Sequence, residues 1–314
     1  MAGKNGGLGL AWATMLALAG CTVAAPPAPD PAPEPEAQAA PPERPDTPYS
    51  GPVARHYAAV ERRRIAQDLL RLDRAPRDLP ISASLIERAF AEVALRDEYQ
   101  VGQDRIIQQS SPAALRRWEG PVRLSLEFAQ TVPDTIRTRD RGVVTRFASR
   151  LARLADHPVQ ITSGRGNFSV LVLDENARRA IGPRLRALVP GIDRASQNLV
   201  ENLPLSVSCL VLAFSRDGTN VYSDAVAIIR AELPERTRDM CYFEEITQGL
   251  GLANDSPVAR PSLFNDNAEF AVMTVLDEQL LRVLYDPRLR PGMTSAQARP
   301  IVRRIAAELM GGQS

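Results

Sequence analysis

The sequence predicts an α+β domain with a twisted mixed sheet and a central helix carrying a carboxylate-rich motif, preceded by N-terminal helices. Three observations lead there. From Gly120 onward, short segments of period two alternate with longer segments of helical period. One late helix, within 234–250, carries two adjacent glutamates and a glutamine one turn later. Two amphipathic segments lie upstream, between His56 and Arg96.

The chain opens with Lys4 and an uncharged run from Leu8 to Ala19. That run is shorter than the roughly 20 apolar residues needed to cross a bilayer. A basic start, a short apolar core and small residues before a cleavage point describe an export signal over 1–20. The end of it, Leu18-Ala19-Gly20-Cys21, resembles a bacterial lipobox, in which the cysteine is acylated and becomes the first mature residue. An ordinary signal peptide followed by an incidental cysteine is the alternative. Acyl chains at about 0.8 kcal/mol per buried CH₂ would hold the protein to a membrane permanently. Thr22 follows, and resemblance to sorted lipoproteins implies the outer membrane, with the protein facing the periplasm.

Residues 21–51 are then a tether. Ten prolines fall between Pro26 and Pro48, mixed with alanine and acidic residues. Such a composition has too little apolar area to offset the entropy of ordering. It predicts an extended spacer of about 3 Å per residue, on the order of 80 Å in all.

A helical region is expected over 52–118. His56 to Arg74 reads as one helix, with Ala59, Ile65, Leu69, Leu70 and Leu72 near one face, and Ser82 to Arg96 as a second. The domain proper is expected over 119–314. Val122 to Phe128 alternates as a half-buried strand does. Arg141 to Ala155 follows as a helix on Val144, Phe147, Leu151 and Leu154, then strands at Val159 to Thr162 and Phe168 to Leu173. The turn between these strands, Ser163-Gly164-Arg165-Gly166-Asn167, lacks the third glycine and the following helix of a phosphate loop. Two more strands, Cys209 to Ser215 and Val226 to Glu232, precede the motif helix from about Pro234 to Leu250. Helices near Thr274 to Tyr285 and Ser295 to Met310 close the chain.

Composition narrows the functions. Lys plus Arg number 38 and Asp plus Glu 37, so neither nucleic-acid binding nor a polybasic membrane patch is expected. With Cys21 acylated, Cys209 and Cys241 remain as a pair in an oxidising compartment. A disulfide there would contribute about 3 kcal/mol through the loop it closes; two unpaired buried cysteines are the alternative.

The informative segment runs from Cys241 to Asp255. Zinc peptidases place two histidines at i and i+4 of a helix, with a glutamate after the first as general base. The longer metzincin pattern adds a glycine and a third histidine. This segment resembles that pattern in degenerate form. Glu245 stands at the base position and Gly251 at the turn glycine, while Glu244, Gln248 and Asn254 replace the three histidines. Met273-Thr274, Asp277 and Leu284-Tyr285 resemble the methionine turn and closing helix of metzincins. The stretch from roughly Val122 to Tyr285 resembles the bacterial domain-of-unknown-function family 2927. The residues that carry this are Glu244-Glu245-Ile246-Thr247-Gln248 with Gly251-Leu252, Asn254-Asp255-Ser256-Pro257, Arg260-Pro261-Ser262, Phe264-Asn265-Asp266, Glu269-Phe270 and Leu284-Tyr285-Asp286-Pro287. The resemblance implies a zincin-like fold but no activity.

Zinc favours nitrogen and sulfur ligands, and the chain has two histidines, His56 and His157, both remote from the motif. No cofactor is therefore expected, although an oxygen set from Glu244, Gln248 and Asn254 suits a harder divalent cation. Internally, the same groups could instead form a hydrogen-bond network to Asn254, Asp255, Asn265 and Asp266. A buried carboxylate must be paired or protonated, and Arg260 is the expected partner. Three functions stay open. They are a non-catalytic binding module for a peptide, protein or cell-wall partner, a metal-dependent hydrolase with Glu245 as base, and a structural envelope protein.

Overall fold

A computed structural model describes residues 51–101, 106–216 and 218–311. The signal, Cys21 and the proline tether lie outside the described residues. The described chain is mixed α/β, with nine helices and a five-stranded mixed sheet. No helix among the described residues is long and apolar enough to cross a membrane.

The sheet order is β4 (Val159–Thr162), β3 (Val122–Phe128), β5 (Phe168–Leu173), β7 (Tyr222–Arg230) and β6 (Cys209–Ser215). The first four run parallel to their neighbours, and β6 closes one edge antiparallel to β7. The period-two pattern sorts side chains to two cores. Phe168, Val170 and Val172 of β5 and Ala225, Ala227 and Ile229 of β7 face the larger one. Leu171, Leu173, Val226 and Ile228 face the smaller one on the other side.

The larger core is covered by α2 (Ala83–Val93), α3 (Asp134–Ala155), α7 (Glu235–Gln248), α8 (Val275–Tyr285) and α9 (Ser295–Gly311). Val53 and Tyr57 of α1 (Gly51–Ala66) join that same cluster, so the region 52–118 and the later elements share one core. The smaller core lies under α4 (Glu175–Arg179), α5 (Gly182–Leu188) and α6 (Arg194–Glu201). These three helices are short, at 5, 7 and 8 residues.

The first helix departs from expectation. It ends at Ala66 rather than Arg74, and Asp68 and Leu70 take left-handed φ values of 57°. Backbone pairing accounts for the break, because Leu70 N–H donates to Ala268 O and Arg71 N–H to Glu269 O. Leu70 is then buried with Met240, Leu263 and Ala271, while Leu72 is left 54% exposed. The second helix ends at Val93 instead of Arg96. Arg96–Val101 forms a strand, β1, paired antiparallel with β2 (Ile106–Pro112).

Helix α7 is fixed at both ends and along its back. Asp140 of α3 is fully buried and accepts from Arg238 Nε at 2.7 Å and Tyr242 Oη at 2.8 Å, two α7 residues one turn apart. Cys241 is bonded to Cys209 at the start of β6. Beyond the helix end, Trp118 Nε1 donates to Gly249 O and Tyr285 Oη to Leu250 O. Gly251 has φ +128°, and a Cβ there would lie 2.4 Å from Arg116 O, so the turn requires glycine.

Candidate functional site

With its back held against α3, α7 presents Glu244, Glu245 and Gln248 to a cleft of about 450 Å³. Its other walls are Ser206 to Ala213, which include most of the edge strand β6, and the loop carrying Ala253, Asp255, Asn265, Asp266 and Ala268. Asp97 and Glu98 of β1 also reach it, together with Arg64 of α1 and Arg116. Six carboxylates and two guanidiniums therefore share one space. Arg116 forms an ion pair with Asp97.

The motif residues are brought together in part. Gln248 Nε2 donates to Asp255 Oδ1 at 2.9 Å. Asn254 turns away from the cleft: its amide donates to Glu92 O of α2 at 2.9 Å and to Asp255 O at 2.8 Å, and its Oδ1 is buried with no partner. Asp255 lines the cleft where the degenerate pattern places Asn254. Met273 is packed in the larger core, with its carbonyl accepting from Arg150, and does not line the cleft. His157 bonds Gly120 O and stacks near Tyr285, and His56 lies on α1. Both histidines are outside the cleft lining.

Arg260 is not the counter-ion of the motif carboxylates. Its guanidinium pairs with Glu269, Nε to Oε2 at 2.6 Å, and Arg260 does not line the α7 cleft. The correction has a local cause. Glu269 sits nine residues away on the same loop and also binds Arg71, so this loop closes its own ion pairs.

Without that arginine, burial and mutual repulsion raise the carboxyls of Glu244, Glu245 and Asp255. Burial pushes Glu245 well above the usual carboxylate range, and the charges of Glu244, Glu98 and Asp255 add to the rise. Glu244 is raised by burial, then by Asp255 and Glu98, with Arg64 opposing. Asp255 is pushed up to about 8 by burial, then by Glu98 and Asp266, against the hydrogen bond from Gln248. A carboxyl held at about 8, as that of Asp255 is, can give or accept a proton near neutral pH.

Sγ of Cys209 and carboxylate oxygens of Glu244 and Glu245 lie within 4.8 Å of one another. The sulfur is in the disulfide with Cys241 and is no thiolate, so it is not a metal donor. The remaining donors are oxygens, a set that fits zinc poorly. Sequence reasoning found Glu244, Glu245, Gln248 and the cysteine pair. It missed Asp97, Glu98, Arg64 and Arg116, which come from segments with no motif of their own.

A family model with the description Protein of unknown function (DUF2927) matches residues 83–304. The match includes every carboxylate of the cleft and every other lining residue except Arg64. No curated protein and no solved structure matches the chain.

Proposed function

The chain belongs to the DUF2927 family, whose description names no activity, and we propose that it is a lipid-anchored envelope protein whose peptidase-like cleft binds rather than cleaves. The observation that carries this reading is the pairing of an edge strand with a helix whose metal-ligand positions lack histidine. An edge strand has unpaired backbone donors and acceptors and can take up an extended peptide as one more strand. Here that strand, β6, is one wall of the cleft, and α7 is the other. The zincin-like reading of the fold rests on the motif spacing, on Gly251 at the turn, and on the mixed sheet beside the motif helix. Cys21 would be acylated and the tether would hold the domain off the outer membrane, facing the periplasm. Its partner would be a peptide, a protein or cell-wall material.

Metal analysis of dialysed protein tests the reading. Less than stoichiometric metal and no peptide cleavage are expected; zinc retained one to one would sink it. Radiolabelled palmitate should enter the wild-type chain and not Cys21→Ser.

A second reading is favoured by Glu245, which is 4% exposed, lines the cleft and has a carboxyl with no hydrogen bond to any described residue. A carboxylate so placed is what a hydrolase would use as general base on a metal-bound water. Chelator-sensitive peptidase activity lost in Glu245→Gln would establish it. A purely structural role predicts that neither ligand nor metal binds.

A further inference from the structure

We propose that the cleft recognises a lysine or arginine side chain projecting from an extended peptide laid along β6. This rests on the binding reading above and names its ligand chemistry.

The two faces of β6 supply the geometry. Cys209, Val211 and Ala213 face the larger core, the side on which α7 packs, while Leu210, Leu212 and Phe214 face the smaller one. A strand added to the free edge would lie about 4.8 Å from β6 and alternate in the same way. Every second side chain of the peptide therefore projects on the side of Cys209, whose sulfur lies within 4.8 Å of the Glu244 and Glu245 carboxylates. The disulfide to Cys241 fixes that spacing between strand and helix.

Charge supplies the selection. Six carboxylates and two guanidiniums line the cleft, and one of those guanidiniums, Arg116, is already paired with Asp97. Glu245 adds an independent mark of an intended partner, since a buried polar group ordinarily has one. It is more than nine-tenths buried, lines the cleft, and its carboxyl has no hydrogen bond to any described residue. An ammonium or guanidinium entering there would supply both the donor and the missing positive charge. Val211, Met240 and Ala253 line the same cleft and offer apolar surface to the methylene stem.

The test uses the full mature chain and fluorescein-labelled heptapeptides, read by anisotropy. One peptide carries a central lysine among alternating valine and alanine, a second has norleucine at that position, and a third has the lysine moved to its end. The central-lysine peptide should bind at least about tenfold more tightly than both others. Glu245→Gln and Asp255→Asn should each reduce that preference toward unity, with unchanged circular dichroism. Equal affinities for the three peptides, together with measurable binding, would overturn the lysine site and leave the edge-strand reading standing. No binding of any peptide would overturn both. Displacement of bound lysine peptide by one equivalent of calcium or manganese would show the carboxylates to be a metal site instead.

Discussion

Glu175 and Glu245 are both closed off from solvent, at 2% and 4% exposure, yet the fold surrounds them in opposite ways. Around Glu175 stand Arg178, Arg179 and Arg230, with bonds of 2.7, 2.8 and 2.5 Å to its oxygens. Arg178 and Arg230 are themselves fully buried, and their remaining donors go to the carbonyls of Val200, Leu203, Pro204 and Val207. Burial alone would raise the Glu175 carboxyl, but the hydrogen bonds and charges of these arginines hold it below its ordinary range. Around Glu245 stand other carboxylates, and it is raised. The same chain thus surrounds one buried carboxyl with three guanidiniums and leaves the carboxyl of Glu245 without a bonded one. That asymmetry supports an external cation as the partner of Glu245.

The contrast can be broken from the compensated side first. Arg230→Met should destabilise the fold by about 3–5 kcal/mol, because Glu175 loses one of its three guanidinium partners and the buried carbonyls of Leu203, Pro204 and Val207 lose their donor. Urea unfolding at pH 7 measures it, and a loss under about 1 kcal/mol would erase the distinction between the two clusters. Next in size is the covalent tie. Replacing Cys209 and Cys241 by serine should cost about 3 kcal/mol, with faster hydrogen exchange in β6 and α7 and little change around Arg178. Uniform acceleration across both cores would contradict a local clamp.

A smaller effect separates the two clusters by pH. A carboxyl held at about 8, as Asp255 is, contributes stability that is present below its unfolded value and lost as pH rises through 8. Glu175, with a depressed value, contributes stability above the unfolded carboxylate range that is lost in acid. Asp255→Asn should therefore flatten the alkaline limb of the stability curve, gaining on the order of 2 kcal/mol over wild type at pH 9 relative to pH 5. A variant whose alkaline limb matches wild type would show that Asp255 is ionised there without cost. The smallest change is expected from Glu245→Gln without ligand. It should alter stability by less than about 1 kcal/mol, in either direction, since an amide of nearly the same shape replaces a carboxyl that has no hydrogen bond to lose. A large loss by thermal unfolding would mean that Glu245 already has a partner.

Legibility in the sequence followed the same physical lines. The strands β3, β4 and β5 have the expected bounds; alternation marks β3, whereas β5 is a short apolar run buried on both faces. Helix α7 and the Cys209–Cys241 link were likewise expected, the link because these two cysteines remain once Cys21 is set aside. The break at Ala66 was not, because it depends on Leu70 and Arg71 pairing with residues nearly 200 positions away. The cleft was half legible. Glu244, Glu245 and Gln248 share a helix face and announce themselves by spacing. Asp97 and Glu98 arrive through the β1–β2 pairing, and no local pattern marks them. Arg260 was misread for a related reason: proximity in sequence to the motif says nothing of the nearer competitor Glu269.

The disulfide between β6 and α7 also sets an order of events. Its two cysteines are 32 residues apart, and the two walls of the cleft are those that it joins. In a reducing compartment the strand and the carboxylate helix are held to each other only by packing. After oxidation they are joined covalently. Under the proposed peptide-binding reading, the grip on a ligand is completed only when two thiols lose their hydrogens.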